Sequence, residues 1–322
     1  MVLATIKPWH PEKPVSKGAT AYHEAVVNTS WHIDNVNELI HIVTKKIKED
    51  DIVVDFGAGT GGSAVFLLKD LKVKFKLWLV DNSAAWLGKA YEVVRNYPNA
   101  ECFLLDNIDD RYLKLSEVLG NEVADHVISA NTLHLIPKID DVFNGINETL
   151  KQEGTFTFQS GNIIRNGREK GIMMIDDSVK RVHEIALEII QKNHKFEKYR
   201  KELDRRIEEE EQQRKFVFPE PRHVDEYLAA LKNAGFSYEE PTNKLIKVKY
   251  KDWLDFLRVK RLQAGILPEI GGKEPSPEEE KERDELITMA SNKLFDELKM
   301  DNPFADEEGF TAEWVYVSVV KK

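Results

Sequence analysis

Cysteine is almost missing from this chain: Cys102 stands alone among 322 residues. One thiol cannot form an intrachain disulfide or a zinc site built from several thiolates, and it fits a reducing compartment such as the cytoplasm. Missing too is any apolar run near the roughly 20 residues that a bilayer-crossing helix needs. The first residues, with Lys7, His10 and Lys13, contain no signal-peptide apolar stretch. Nor is there an excess of positive charge. The chain has 56 acidic against 46 basic residues and a formal charge of -10, which argues against a nonspecific grip on nucleic acid. What is present is 42% apolar residues, in a chain long enough for one large domain, or a domain with a substantial elaboration, around a sizeable core. The expectation is a cytoplasmic protein that handles small molecules, with neither nucleic acid nor membrane as partner and its oligomeric state open.

Across residues 51–159, short β-rich runs alternate with helical stretches, the pattern of a parallel sheet covered on both faces. The runs at 52–56, 76–80, 101–105, 126–129 and 155–158 read as strands. After Gly61, Ala64, Leu67, Leu68 and Leu71 recur at helical spacing and form one apolar stripe. Beyond residue 159 the alternation stops. Ile175, Val179, Val182, Ala186 and Ile189 predict a helix with one buried face, and the run 195–215, in which acidic and basic residues nearly balance, predicts an exposed helix with i,i+4 pairs. Pro219 and Pro221 end this insertion. Val224, Tyr227, Leu228 and Leu231 then share a helical face before Gly235, residues 238–250 read as a strand, 278–299 as a helix, and the alternating run from Trp314 as a final strand. The division expected is leading helices over 1–50, a core over 51–159, a helical cap insertion over 160–221, and completion of the core sheet with extra helices over 222–322.

The strongest local signal is Val53-Val54-Asp55-Phe56-Gly57-Ala58-Gly59-Thr60-Gly61-Gly62, an apolar strand running into a glycine-rich turn before a helix. Glycines there permit positive φ and remove the Cβ atoms that would hold a ligand off the backbone. By spacing alone, Gly57, Gly59 and Gly62 also satisfy G-x-G-x-x-G, so a dinucleotide site has to be weighed. Asp55 tips the balance, because a pyrophosphate-binding turn gains nothing from a carboxylate two places before its first glycine. A cationic ligand gains from it, and S-adenosylmethionine carries an ammonium group on its methionine moiety.

The stretch Asp55 to Gly61 resembles the first motif of the class I methyltransferases, acidic-x-Gly-x-Gly-x-Gly, and all three glycines match. Leu77-Trp78-Leu79-Val80-Asp81, followed by Asn82, resembles that family's second strand, whose terminal acid binds the ribose hydroxyls. Phe103-Leu104-Leu105-Asp106-Asn107 resembles the third strand end, beside the adenine amino group, where Asp109 and Asp110 crowd the same loop. The segment from Asp125 through Asn131 to His134 resembles the motif that faces the transferring methyl group. Leu150-Lys151-Gln152-Glu153-Gly154 resembles the "LkpGG" turn into strand five, departing at Glu153, in a turn away from the cofactor. The resemblance implies a Rossmann-like seven-stranded α/β sheet with helices on both faces. It also implies S-adenosylmethionine as cofactor, with S-adenosylhomocysteine as product, and cofactor contacts from Asp55, Gly57, Ala58, Gly59, Gly61, Asp81, Asn82, Asp106, Asn107 and Asn131. More faintly, the segments at Lys251 to Leu257 and Gly309 to Trp314 look like methyltransferases of small carboxylates such as trans-aconitate or malonyl-carrier protein.

Methyl transfer from a sulfonium is an in-line displacement in which positioning and desolvation do most of the work. The acceptor side should lie at the carboxyl ends of the strands. His134 is the candidate catalytic residue, as proton acceptor or acceptor-orienting group. Ser160, Gly161 and Asn162 form a loop within reach of the acceptor. Tyr22, His23, Trp31 and His32 form an aromatic and imidazole-rich leading segment in which Tyr22 or Trp31 could cover the methionine end. Met173, Met174 and Ile175 could wall an apolar acceptor pocket. The substrate contacts expected are Tyr22, Trp31, His134 and Asn162, with no metal. Cys102 reads as a small core residue. The function expected is methyl transfer to O or N of a small organic molecule. The alternatives are a cofactor-binding regulatory protein without turnover or, within enzymes, an RNA or protein methyltransferase, for which neither an Asn-Pro-Pro-Tyr-type motif nor a separate nucleic-acid module is present.

Overall fold

The computed structural model describes residues 7–108 and 111–322, so Asp109 and Asp110 lie outside the described residues, as do the first six. Eight strands make up the main sheet: β1 Ile52–Phe56, β2 Lys76–Asp81, β3 Ala100–Leu104, β4 Ala124–Ala130, β5 Leu150–Ser160, β6 Phe236–Tyr238, β7 Thr242–Lys249 and β8 Gly309–Lys321. Seven follow one path in the order β6-β8-β5-β4-β1-β2-β3, and β7 pairs with the early half of β8. The five strands β1 to β5 are parallel, whereas β8 runs antiparallel to β5. Strand order reverses between β1 and β4, and at such a switch point the loops leaving the carboxyl ends diverge and leave a crevice.

The main helices are α1 Lys17–Val27, α2 Ser30–Thr44, α3 Gly62–Asp70, α4 Ala84–Val94, α5 Ile139–Thr149, α6 Ile175–Lys192, α7 Leu203–Val217, α8 Val224–Asn233, α9 Tyr250–Leu257, α10 Lys260–Ile266 and α11 Pro277–Asp301. Period-2 alternation along the strands divides the core into two layers. Val53, Leu77, Leu79 and Cys102 face α2, α3 and α4. Val54, Phe56, Trp78, Val80, Phe156 and Phe158 face α5 and α8. Cys102 is buried there, and burial pushes its thiol up to about 12, so it is an unreactive core group.

Two insertions meet over the first layer. The chain between β5 and α8 supplies α6 and α7, and the chain between β7 and β8 supplies α9, α10 and α11. The α6 face of Val179, Val182, Ile185 and Ala186 lies along α11, which presents Leu286, Ile287, Ala290 and Leu294, while α7 packs on α10. Ion pairs Arg181–Glu297 and Lys293–Glu188 rim the α6–α11 contact. Pro277 at the first turn of α11 and a reciprocal Ser276–Glu279 capping box explain where that long helix starts.

The structure corrects several local readings. Residues 238–250 form two elements, β6 ending at Tyr238 and β7 starting at Thr242, because Pro241 cannot donate to a ladder, and Tyr250 opens α9. The charged run 195–215 is broken at residues 201–202 into a short helix, Glu197–Arg200, and the mostly exposed α7. Glu153 lies within β5, beside a register irregularity against β4, with φ of +62°, the left-handed region that the family's glycine would occupy without strain.

Candidate active site

The alternation of β1 puts Asp55 on the same side as Val53, toward α2 and α3. Asp55 is 1% exposed, and neither carboxylate oxygen has a hydrogen-bond partner among the described residues. Burial, with the charge of Asp81 nearby, pushes its carboxyl up to about 7. An orphaned buried carboxylate is costly unless a ligand meets it.

Directly after β1 the chain turns at Gly57, with φ of +72°, and a Cβ there would fall 2.2 Å from the methyl carbon of Thr132. Only glycine lets the turn and the loop after β4 approach this closely. Thr132 Oγ1 donates to the Gly57 carbonyl at 3.0 Å and ties the two loops together. The turn's own amides are directed inward. Gly57 and Ala58 N–H both donate to the Val80 carbonyl, Gly61 N–H to the Ala58 carbonyl, and Gly59 N–H to Asp81 Oδ2. A pyrophosphate cradle needs those N–H groups pointing at the ligand, so this loop is poorly suited to a dinucleotide and well suited to a ligand with little anionic charge.

Asp81 ends β2 at 9% exposure. Oδ2 accepts from Gly59 and Oδ1 from Ser83, each at 2.8 Å. Burial raises its carboxyl, opposed by these N–H groups and by the Arg261 guanidinium. Asn82 is exposed beside it. Trp86 lies against Gly59, Tyr22 tilts onto Trp86 with ring centroids 4.3 Å apart, and the Arg261 guanidinium sits 4.3 Å from the centroid of the Trp86 ring. Tyr22 therefore belongs to an arch that α1, α4 and α10 build over the loop and Asp81. Sequence reasoning did not single out Trp86 or Arg261. The aromatic residue in the helix after Asp81 is a readable signal, but the arrival of α10 is not.

Asp106 and Asn107 are exposed at the end of β3, where Asp106 Oδ1 accepts its neighbour's N–H at 3.0 Å, so they flank the arch rather than join the buried cluster. Asn131 adopts φ of +50° after β4. Its side-chain amide is engaged at both ends, donating to Asn35 Oδ1 at 3.2 Å and accepting from Trp314 Nε1 at 3.1 Å, while Gln159 donates to the same Asn35 oxygen at 2.8 Å. Its backbone N–H is engaged as well, donating to the Gln159 carbonyl at 3.0 Å. Asn35 and Gln159 were also missed, since buried amides inside apolar helical and strand patterns leave no periodic signal.

Trp31 belongs to an aromatic cluster. It is 4% exposed, stacked on Trp314 and edge-on to Trp253 and Phe256. Met174 is buried, and the Met173 backbone pairs with the start of β8, donating to the Thr311 carbonyl at 3.1 Å.

On the acceptor side, His134 occupies the short turn Leu133–Leu135 after β4. Its Nδ1 is 3.0 Å from Ser160 Oγ, which also accepts the Asn162 N–H at 3.0 Å. Giving the serine proton to Nδ1 satisfies all three groups and leaves the ring N–H on Nε2. Burial, with the Arg222 guanidinium beside it, holds the imidazole at about 4, so it is neutral at pH 7. Arg222 is fixed by the carbonyls of Ile136 and Pro137, at 2.6 and 3.1 Å. Asn162 is 6% exposed, and its Oδ1 accepts from Asp176 N–H at 2.8 Å. Among the described residues no group of three or more His, Cys, Asp or Glu side chains is placed to hold a metal ion, and no helix is long and apolar enough to cross a membrane.

Comparison with known proteins agrees with this geometry. No curated protein matches the sequence. The YcgJ protein of Bacillus subtilis superposes with a TM-score of 0.53 at 13% identity, covering 89% of this chain and 99% of that one. A Galdieria sulphuraria protein provisionally assigned as a sarcosine dimethylglycine methyltransferase gives 0.52 at 12% identity, covering 95% and 99%. A Bacillus halodurans protein provisionally assigned as a methyltransferase gives 0.52 at 14% identity, covering 89% and 99%. Identities this low carry the fold alone. The methyltransferase domain family, however, matches residues 47–218, just over half of the chain. With the glycine loop, Asp55 and Asp81 inside that span, the chain belongs to the methyltransferase domain family, on the class I fold whose methyl donor is S-adenosylmethionine.

Proposed function

We propose that this protein transfers a methyl group from S-adenosylmethionine to an O or N atom of a small organic molecule. The observation that carries the reading is Asp55: a carboxylate buried at the head of a glycine loop, without a partner among the described residues, with the loop's amides turned away. The cofactor's ammonium group meets that carboxylate, and Asp81, held in orientation by Gly59 and Ser83, has lone pairs left for ribose hydroxyls. Tyr22, Trp86 and Arg261 would close over the nucleoside, and Asp106 with Asn107 stand at its outer edge. Gly57, Ala58, Gly59 and Gly61 supply the surface on which it lies, and Asn131 stands beside it at the end of β4.

Bound cofactor supplies an activated methyl carbon, so the chain's own task is to hold an acceptor in line and dry. Ser160 and Asn162 fix the His134 ring, whose Nε2–H can donate to an acceptor oxygen, and Arg222 adds positive charge beside it. His134 is a poor general base at pH 7 because its pKa is depressed, so the geometry favours acceptors that arrive with a free lone pair. The test is to incubate the protein with methyl-labelled cofactor and fractionated small-molecule extract, then identify labelled products by mass. Label on a metabolite supports the proposal; label only on protein or RNA, or none in any fraction, contradicts it.

A further inference from the structure

His32 lies on the inward face of α2, with Asn35, Val36 and Leu39, and is 8% exposed. Neither of its ring nitrogens has a hydrogen-bond partner among the described residues. Among the described residues the other buried imidazoles all do: His23 with Thr60, His126 with Thr155 and Asp51, His183 with Glu269 and Arg214. A histidine that served only to fill the core would be expected to satisfy its polar atoms in the same way.

What His32 faces is the start of α3. Its Nε2 lies 3.2 Å from where a Cβ on Gly62 would stand. α3 is nine residues long and opens at Gly61, with φ of +80° and no side chain capping its first N–H groups. Such an opening favours an anion. The preceding amides of Gly57, Ala58, Gly59 and Gly61 are already engaged inside the loop, so the next donors along the chain are those at the head of α3. Burial, with His23 beside it, holds His32 at about 4, so it stands there as a neutral ring able to donate one N–H.

We propose that His32 and the open start of α3 bind the α-carboxylate of the cofactor's methionyl group, a role that rests on the reading of the glycine loop as the S-adenosylmethionine site. Asp55 before the loop and His32, packed against the helix that follows it, then recognise the two charges of one amino-acid zwitterion. His32 is a positioning residue: it sets where the methionyl arm lies and touches no reacting atom.

The experiment is calorimetric titration of the full chain with S-adenosylhomocysteine and with its analogue lacking only the carboxylate, 5′-S-(3-aminopropyl)-5′-thioadenosine. Wild-type protein should prefer S-adenosylhomocysteine by about tenfold or more, as for a hydrogen bond to a charged group. His32→Leu should lose that preference while its affinity for the analogue stays within about twofold. Should His32→Leu not fold, His32→Phe fills the space without a donor and repeats the comparison. His32→Asn, which keeps a donor, should retain part of the preference. Equal weakening of both ligands in the apolar variants, or a wild-type protein without preference, overturns the proposal. A wild-type protein that binds neither ligand refutes the cofactor reading itself, and this inference with it.

Discussion

Asp81 Oδ2 accepts the backbone N–H of Gly59 at 2.8 Å, so the carboxylate that ends β2 also sets the shape of the glycine turn after β1. One side chain thus shapes the floor of the cleft and, in the proposed function, holds the ribose. Asp81→Ala should weaken S-adenosylhomocysteine binding by about 1.5–3 kcal/mol, the range for hydrogen bonds to a charged group. Calorimetry checks it, and unchanged affinity removes the ribose assignment.

Asp55 should couple cofactor binding to protons. Its carboxyl is raised to about 7 without a ligand, and an ammonium group beside it favours the ionised form. Binding near pH 7 should therefore release a fraction of a proton, seen as a dependence of the binding enthalpy on the ionisation enthalpy of the buffer. Asp55→Asn should abolish that dependence. Buffer-independent enthalpies for the wild type would mean that no cation meets Asp55.

Stability should fall on mild acidification. His32 and His134 are held at about 4, below the ordinary value near 6.5, so between pH 6.5 and 4 the unfolded chain binds protons that the native state does not. Their contribution is present above pH 6.5 and is lost as pH falls through that window. His23 and His126 are shifted in the same direction. Asp55, Asp81 and Asp176 act oppositely, since their raised carboxyls lose stabilisation as pH rises, but three carboxyls stand against four imidazoles and against lowered carboxyls such as Glu117, whose contribution is lost as pH falls. Urea midpoints should be lower at pH 5 than at pH 7, and His32→Leu should flatten the difference. A midpoint that rises on acidification contradicts these environments.

For His134, the pH–rate profile of methyl transfer should show no titration from this residue between pH 6 and 8, because it is neutral throughout. His134→Ala should lower kcat/KM by about 10-fold to 100-fold through lost orientation of the acceptor, about 1.4–2.7 kcal/mol of transition-state stabilisation. A profile with an acidic limb, rate rising with pH through a titration between pH 6 and 8, that disappears in the variant would restore the general-base role.

The aromatic cluster makes a structural prediction. Trp253 is fully buried between Trp31 and Phe256. Trp253→Ala should cost about 3–5 kcal/mol of folding stability, measured by urea unfolding. A change under about 1 kcal/mol would mean that the two insertions are not packed onto the leading helices as described.

The parallel half of the sheet was legible because each of β1 to β4 is an apolar run bounded by turn residues, and the glycine loop because its spacing serves one kind of turn. Trp31 shows where legibility stops. The resemblance to a leading helix that folds over the cofactor made it a candidate cover for the ligand, and nothing in the sequence around it shows that its ring packs with Trp253 and Trp314, contributed by segments more than 200 positions away. Arg261 fails to announce itself for the same reason, reaching Trp86 only because the insertion between β7 and β8 folds back over the cleft. Periodicity records which face of an element is buried. It does not record which distant element buries it.

The central claim is that the glycine loop, Asp55 and Asp81 hold S-adenosylmethionine. Calorimetric titration of the purified chain with S-adenosylhomocysteine and with NAD tests it most directly: micromolar binding of the first and none of the second is the result expected, and tight NAD binding with no response to S-adenosylhomocysteine would contradict it.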